Sequence, residues 1–517
     1  MKPVFLAPGP IFQTPERRRN RNRKGRPGIP VIAVMSFVFA VMCGCASPPP
    51  RERPEIHVAS PETWTAADVA VGSVEADTTR WWVYFDSPEL NTLINEALAH
   101  NLNVKAAVAR VDAAGAAAKA AGADRLPNVS AGFNASRRKQ NLIGIPIPGA
   151  GGVISTRSTS FGVSLDVLWE LDLWGRIRSG QAAALADLQA SWADLAAIRL
   201  SIAGQTAKAY FAAVESASQV ELARETVESY RLSADQVRSR YEAGVRTSLD
   251  LRLALSSLHS AEALLEMRKQ QLDAATRGLE ILLGRYPAGA LAPGSPLPPV
   301  SVGIPPGLPS DLIVRRPDLL AAERRYAAAT KRVSQARRAF FPRITLTGSA
   351  GTLTQELADI ASGDFSVWSV AGGLTQPLFQ GGRLRANLDQ SHAFADQSLA
   401  DYALALLSAF REVESALFAE EALGRREAAL TKAVEQSEAA RELAEREYNS
   451  GLTAYVTVLE TQRRELASRS ELLTVRRERL DARVNLHLAL GGGFDITEQW
   501  TDFLEANLKS ETEGPVD

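Results

Sequence analysis

Tyr241-Glu-Ala-Gly-Val245 recurs as Tyr448-Asn-Ser-Gly-Leu452, 207 residues further along the chain. The same offset relates Trp174-Gly-Arg-Ile-Arg178 to Gly381-Gly-Arg-Leu-Arg385 and Leu283-Gly284 to Leu490-Gly491. The segment from Arg176 to Gly284 is therefore repeated at Arg383 to Gly491 with no net insertion or deletion. Loops absorb insertions and would lose such a register, whereas long helices that must span the same distance side by side would keep it. The repeat points to a duplicated helical conduit rather than to an enzyme.

The helices can be read directly. From Gln181 to Ala243 there is no proline and a single glycine, Gly204, and Leu188, Trp192, Leu195, Ile198 and Ile202 recur at helical spacing. Its mate, Ala386 to Ser450, again has no proline and one glycine, Gly424, with Leu399, Tyr402, Leu406, Phe410, Val413 and Leu417 in step. At a rise of ~1.5 Å per residue each helix is about 100 Å long. Ser87 to Gly122 reads as one Ala-rich helix, stopped by Arg125-Leu-Pro127.

Between helices the period changes from 3.6 to 2. Val129, Ala131, Phe133 and Ala135 alternate with small polar residues, as do Phe161, Val163, Leu165, Val167 and Trp169, and a Gly/Pro loop from Gly144 to Gly152 joins the two runs. The second half supplies Ile344, Leu346, Gly348 and Ala350, then Trp368, Val370, Gly372 and Leu374. Four strands per chain are predicted. Pro317 to Pro342 matches Leu102 to Pro127 at an offset of 215, so the change to 207 falls inside the hairpin, where the Gly144–Gly152 loop has no counterpart. An apolar face against a polar one is the pattern of a membrane barrel. A four-stranded open sheet cannot sit in lipid with unpaired edge amides, so strands from several chains would have to close together. A soluble sheet covered by helices is the alternative reading.

The 517 residues, 45% of them hydrophobic, are ample for a large core. Residues 1–30 carry a net charge of +7 and the remainder −8, beneath an overall formal charge of −1. The basic stretch and the uncharged apolar run Val31 to Met42 read as a secretory signal, too short for a permanent span. It ends in Val41-Met-Cys-Gly-Cys45-Ala-Ser. Gly44 before Cys45 resembles the bacterial lipobox, which predicts removal of residues 1–44 and a covalent lipid (palmitate-bearing) on Cys45; an ordinary signal peptide that happens to contain cysteine is the alternative. Cys43 and Cys45 are the only cysteines, so no internal disulfide is expected in the mature chain. Residues 45–80 read as a tether, 81–284 as the first structural repeat, 285–309 with eight prolines as a linker, 310–491 as the second repeat and 492–517 as a tail.

No catalytic chemistry emerges. The five histidines are scattered, and there is no phosphate loop, zinc spacing or nucleophile motif; no cofactor, metal or nucleic-acid partner is expected. Arg315, Arg316 and Asp318 suit the start of a helix. Gly244 and Gly451 stand where a long helix must reverse, and glycine permits the positive φ required.

Trp81-Trp-Val-Tyr-Phe-Asp86, Arg315-Arg-Pro-Asp318 with Ala322-Glu323, Phe340-Phe-Pro-Arg-Ile344 with Gly348, and the two Tyr-x-x-Gly turns together resemble the outer-membrane factors of the TolC/OprM type. Within them the likeness is to the NodT-like lipoprotein channels of resistance-nodulation-division (RND) efflux pumps. The resemblance implies a mainly α fold with a membrane β-barrel part: an internally duplicated long-helix coiled-coil tunnel, with four strands per chain completing a trimeric twelve-stranded barrel. It implies a homotrimer in the outer membrane, working with a periplasmic adaptor and an inner-membrane RND transporter to export small toxic compounds. It makes Gly244, Val245, Thr247, Gly451, Leu452 and Thr453 the adaptor-docking tips. Asp250, Tyr448 and Glu460 become the periplasmic gate, with Tyr448 a hydrogen-bond partner for Asp250. The duct of a type I protein secretion system and an envelope-anchored coiled-coil scaffold without a pore are the competing functions.

Overall fold

Three pairs of helices of equal length organise the chain. In a computed structural model that describes residues 64–65, 78–142, 154–294, 296–300 and 315–492, a 3₁₀ segment Thr78–Phe85 leads into α1 (Pro88–His100) and α2 (Leu102–Ala123). Strands β1 (Asn128–Leu142) and β2 (Ile154–Leu171) follow, then α3 (Arg176–Glu242) and α4 (Ser248–Leu282). The second half repeats the order: α5 (Pro317–Arg338), β3 (Arg343–Thr354), β4 (Ser366–Thr375), α6 (Arg383–Asn449) and α7 (Tyr455–Ala489). The long helices have 67 residues each, the return helices 35 each, and α2 and α5 22 each. The strands do not match, at 15 and 18 residues against 12 and 10. Helices packed side by side are thus locked in length while the hairpins are free to differ. The signal segment, Cys45, most of the 45–80 tether, the Gly144–Gly152 loop, residues 301–314 and the tail from 493 lie outside the described residues.

One expectation needs correction. Ser87 to Gly122 is not a single helix: it breaks at Asn101, whose backbone is extended (φ −59°, ψ 131°). The Asn101 side chain accepts from the amides of Asn103 (2.8 Å) and Val104 (3.4 Å), capping α2, and its Nδ2 donates to the Leu282 carbonyl at 2.8 Å. A short polar side chain that can satisfy both a helix start and a helix end stabilises the break. The repeat reproduces this joint with different chemistry. Arg316, at the position of Asn101, donates from Nη1 to the Ala489 carbonyl at 3.0 Å, the counterpart of Leu282. Its buried guanidinium also pairs with Asp318 (2.7 Å) and Glu412 (2.8 Å). The Arg315–Asp318 segment is therefore a structural joint, with Pro317 at the first turn of α5.

The Trp81–Asp86 segment is the hub of the largest apolar cluster. Trp81, 1% exposed, sits 5.2 Å from the His487 ring and 6.2 Å from Phe85, which in turn meets Phe211 of α3 at 5.2 Å. Burial, with Arg483 close by, pushes His487 down to about 3, so it is neutral and packs as an aromatic. Upstream, within the segment read as a tether, Trp64 is buried against Phe410 of α6.

The strands form one antiparallel sheet in the order β1-β2-β3-β4. Its register places Val129 opposite Val167 and Phe133 opposite Val163, Leu165 opposite Ala350, and Ala350 opposite Trp368. All share one face, as the alternation predicts, and Phe133, Trp368 and Val370 stand exposed on it.

Four glycines end the four principal helices with the same pattern. At Gly244 and Gly451 the amides return to Tyr241 (2.9 Å) and Tyr448 (3.1 Å), while Val245 and Leu452 return to Arg240 (2.9 Å) and Glu447 (2.8 Å). Gly284 and Gly491 do the same at the ends of α4 and α7. They differ in surroundings. A Cβ on Gly284 would lie 2.8 Å from the His100 carbonyl oxygen, and one on Gly491 would strike the Arg315 carbonyl, whereas nothing lies within 4 Å at Gly244 or Gly451. Gly244→Ala and Gly451→Ala are expected to cost only the left-handed backbone term, roughly 1–2 kcal/mol. Gly284→Ala and Gly491→Ala should cost a further 1–3 kcal/mol or so from the clash. Thermal unfolding of the four variants checks this, and equal losses at all four would refute it.

Candidate functional site: the paired helical tips

The two helix reversals, α3 to α4 and α6 to α7, come together in one cluster. Val227, Tyr230, Ala234 and Val237 of α3, Ala254 and Ala261 of α4, Ala444 and Tyr448 of α6, and Tyr455, Val458 and Leu459 of α7 form its buried core. Of the six residues predicted at the tips, Gly244, Val245, Thr247, Gly451 and Leu452 are exposed and Thr453 is half-buried. Val245 and Leu452 are 69% and 79% exposed despite being apolar. Thr247 has an internal task as well: its side chain caps α4 by accepting from the Asp250 amide at 3.3 Å.

The gate residues stand differently from the expectation. Asp250 and Tyr448 do not bond to each other. Tyr448 is 4% exposed and its hydroxyl is buried without a hydrogen-bond partner. Its ring is held instead by two cations from the other reversal, Arg240 at 5.0 Å and Arg246 at 4.5 Å from the centroid. The same guanidinium groups donate to the Asn449 side chain (2.9 Å) and the Tyr448 carbonyl (3.4 Å). Tyr455 closes the cluster with its ring 5.3 Å from that of Tyr448. Burial, then the neighbouring Tyr448, Tyr230 and Asp250, pushes the Tyr455 hydroxyl up, so it stays protonated. The physical reason for the correction is reach and number: two long Arg side chains surround the ring, and Asp250 is confined to the first turn of α4. Glu460 is exposed and accepts from Arg464, one turn along its own helix, at 2.9 Å, so part of its charge is answered within the chain.

Sequence reasoning missed Arg240, Arg246 and Tyr455, and it missed Leu249 and Val456, two more exposed apolar side chains beside the turns. The apolar set carried a legible signal. Val245 and Leu452, like Leu249 and Val456, are related by the offset of 207. The clasp did not, because it arises where the repeats diverge. Arg240 corresponds to Glu447 and Arg246 to Thr453, while Tyr448 corresponds to Tyr241, which is exposed. One repeat supplies both cations and the other the ring. Among the described residues no cluster of His, Cys, Asp or Glu could hold a metal ion, and no helix is long and apolar enough to cross a membrane.

Comparisons with known proteins agree with this architecture. The profile of the outer membrane efflux protein family matches residues 93–285 and 308–492. Outer membrane protein OprJ of Pseudomonas aeruginosa is 35% identical over 470 residues, covering 90% of this chain and 97% of OprJ. The toluene efflux pump outer membrane protein TtgF of Pseudomonas putida is 32% identical, over 89% of this chain and 97% of TtgF. The open-state structure of the MtrE outer membrane channel of Neisseria gonorrhoeae superposes with a TM-score of 0.75 at 31% identity, over 86% of this chain and 98% of MtrE. With equal helix pairs, a four-stranded sheet and family matches across both repeats, the chain belongs to the outer membrane efflux protein family.

Proposed function

We propose that this chain is the outer-membrane duct of a tripartite RND-type efflux system, acting as a homotrimer that passively conducts small toxic compounds across the periplasm and outer membrane. The observation that carries the reading is a sheet with two open edges leading into two helices of equal length. Strands β1 and β4 each have a single partner among the described residues, and unpaired amides in hydrocarbon cost several kcal/mol each. Three copies would close the edges into a twelve-stranded barrel wide enough for a passage. The long helices also leave room for a further copy. Both have 67 residues, yet α3 buries 25 of them and α6 only 11. The face left on α6 includes Phe394, Leu404, Leu407 and Phe418, which suits a second copy. The exposed Val245, Leu249, Leu452 and Val456 suit a periplasmic adaptor at the tips, and the inner-membrane transporter would choose the cargo. The mature chain would begin at an acylated Cys45.

Mass spectrometry of protein from its native envelope tests the anchor: an acylated N-terminal Cys45 is expected, with Cys45→Ala lacking the lipid and keeping most of the fold. An unmodified Cys45 would refute it.

Planar-bilayer conductance tests the duct and its gate. The reconstituted protein should conduct and favour cations, because three Glu460 carboxylates around a narrow axis attract them. Glu460→Ala should weaken that preference and Arg464→Ala should strengthen it by releasing the carboxylate. Asp250→Ala should also change the entrance conductance. Loss of one cation over Tyr448, in Arg246→Gln, should ease opening by about 0.5–2 kcal/mol. Gly244→Trp with Gly451→Trp should abolish efflux in cells while leaving conductance intact. No conductance would reject the duct, unchanged selectivity and opening would reject the gate, and full efflux by the double Trp variant would reject docking at the tips.

A further inference from the structure

The register that builds the apolar face of the sheet also carries that face past its own end. Directly opposed residues of an antiparallel pair project on the same side. Val129/Val167, Ala131/Leu165, Phe133/Val163 and Ala135/Phe161 therefore form one apolar column. The next pairs on that same side are Arg137/Thr159 and Lys139/Arg157. Arg138, one residue out of step, projects from the opposite face with Ser158. Arg137, Lys139 and Arg157 are exposed, and among the described residues none of their side chains has a hydrogen bond or an ion pair. Strand β3 stops at Thr354, opposite Phe161, so the three cations stand on the part of the β1–β2 hairpin that outruns β3.

Their height is informative. Lys139 is ten residues beyond Val129, which at ~3.4 Å per residue and a strand tilt of ~40° is roughly 26 Å along the membrane normal. A barrel's apolar band is about 25 Å tall. The cations thus reach the far edge of the band, the edge away from the helices, since β1 and β2 meet α2 and α3 at their other ends. In a bacterial outer membrane that level holds the phosphates of the outer-leaflet glycolipid. Guanidinium groups present paired donors suited to phosphate oxygens. The β3–β4 connection carries the carboxylates Glu356, Asp359 and Asp364, and although β2 borders β3, Arg157 makes no ion pair with them in the chain.

We propose that Arg137, Lys139 and Arg157 form a binding site on the lipid-facing side of the first hairpin for the phosphate groups of the outer-leaflet glycolipid. The proposal rests on the membrane placement given above. The test uses the full-length protein purified in neutral detergent and titrated with diphosphoryl lipid A, its dephosphorylated form and inorganic phosphate, with bound lipid read by native mass spectrometry. Diphosphoryl lipid A should be retained, the dephosphorylated form should not, and equimolar inorganic phosphate should fail to displace it. Arg137→Gln/Lys139→Gln/Arg157→Gln should weaken retention by on the order of tenfold or more, and Arg138→Gln should leave it unchanged. Equal retention by the triple variant, or displacement by inorganic phosphate, would overturn the site. Loss of assembly in the triple variant would overturn it too, in favour of pairing with carboxylates of a neighbouring copy. Conductance on the same preparations separates the two readings: a wild type that does not insert defeats the duct, and one that conducts but is indifferent to the phosphates defeats only the lipid site.

Discussion

Backbone amides along the outer edges of β1 and β4 set the terms for the rest of the molecule. Four antiparallel strands in the order β1-β2-β3-β4 satisfy one another internally and leave two rows of donors and acceptors at the margins. In water such margins are a liability, and in hydrocarbon they are untenable. The apolar face carrying Phe133, Trp368 and Val370 suits lipid, and the proposed duct answers the open margins with copies of the same sheet. Under that proposal the helices that leave the sheet would surround the same axis, and equal lengths would follow because neighbours in a tube end at the same level.

The helices obey that requirement closely. Pairs of 67, 35 and 22 residues survive duplication while the strands drift. Divergence is spent on side chains. At the joint between shorter helices, Asn101 bonded to Leu282 became Arg316 bonded to Ala489. At the tips, the repeats became complementary, with Arg240 and Arg246 from one clasping Tyr448 from the other. The two reversals in a protomer are thereby tied to each other, and a change at either is felt by both.

What could be read from the sequence follows from how local each signal is. Long proline-free apolar periodicity reports α3 and α6 along most of their length, and Gly244 and Gly451 announce the reversals, because their positive φ is a local demand. Strand faces were legible for the same reason, since alternation needs no partner. The break at Asn101 was not, because its stabilisation depends on the Leu282 carbonyl, 181 residues away. Nor was the clasp on Tyr448: an aspartate following a turn suggests a hydrogen bond, whereas the partners that surround the ring come from Arg240 and Arg246, more than 200 residues upstream, and only packing brings them together.

The claim that the open sheet is completed by copies of the same chain is tested most directly by the mass of the folded protein in mild detergent, measured alongside its circular dichroism. Three chains per particle with an intact β signal is the result this account predicts. A monodisperse monomer that retains its β signal would contradict it, because the edges of β1 and β4 would then be stable alone.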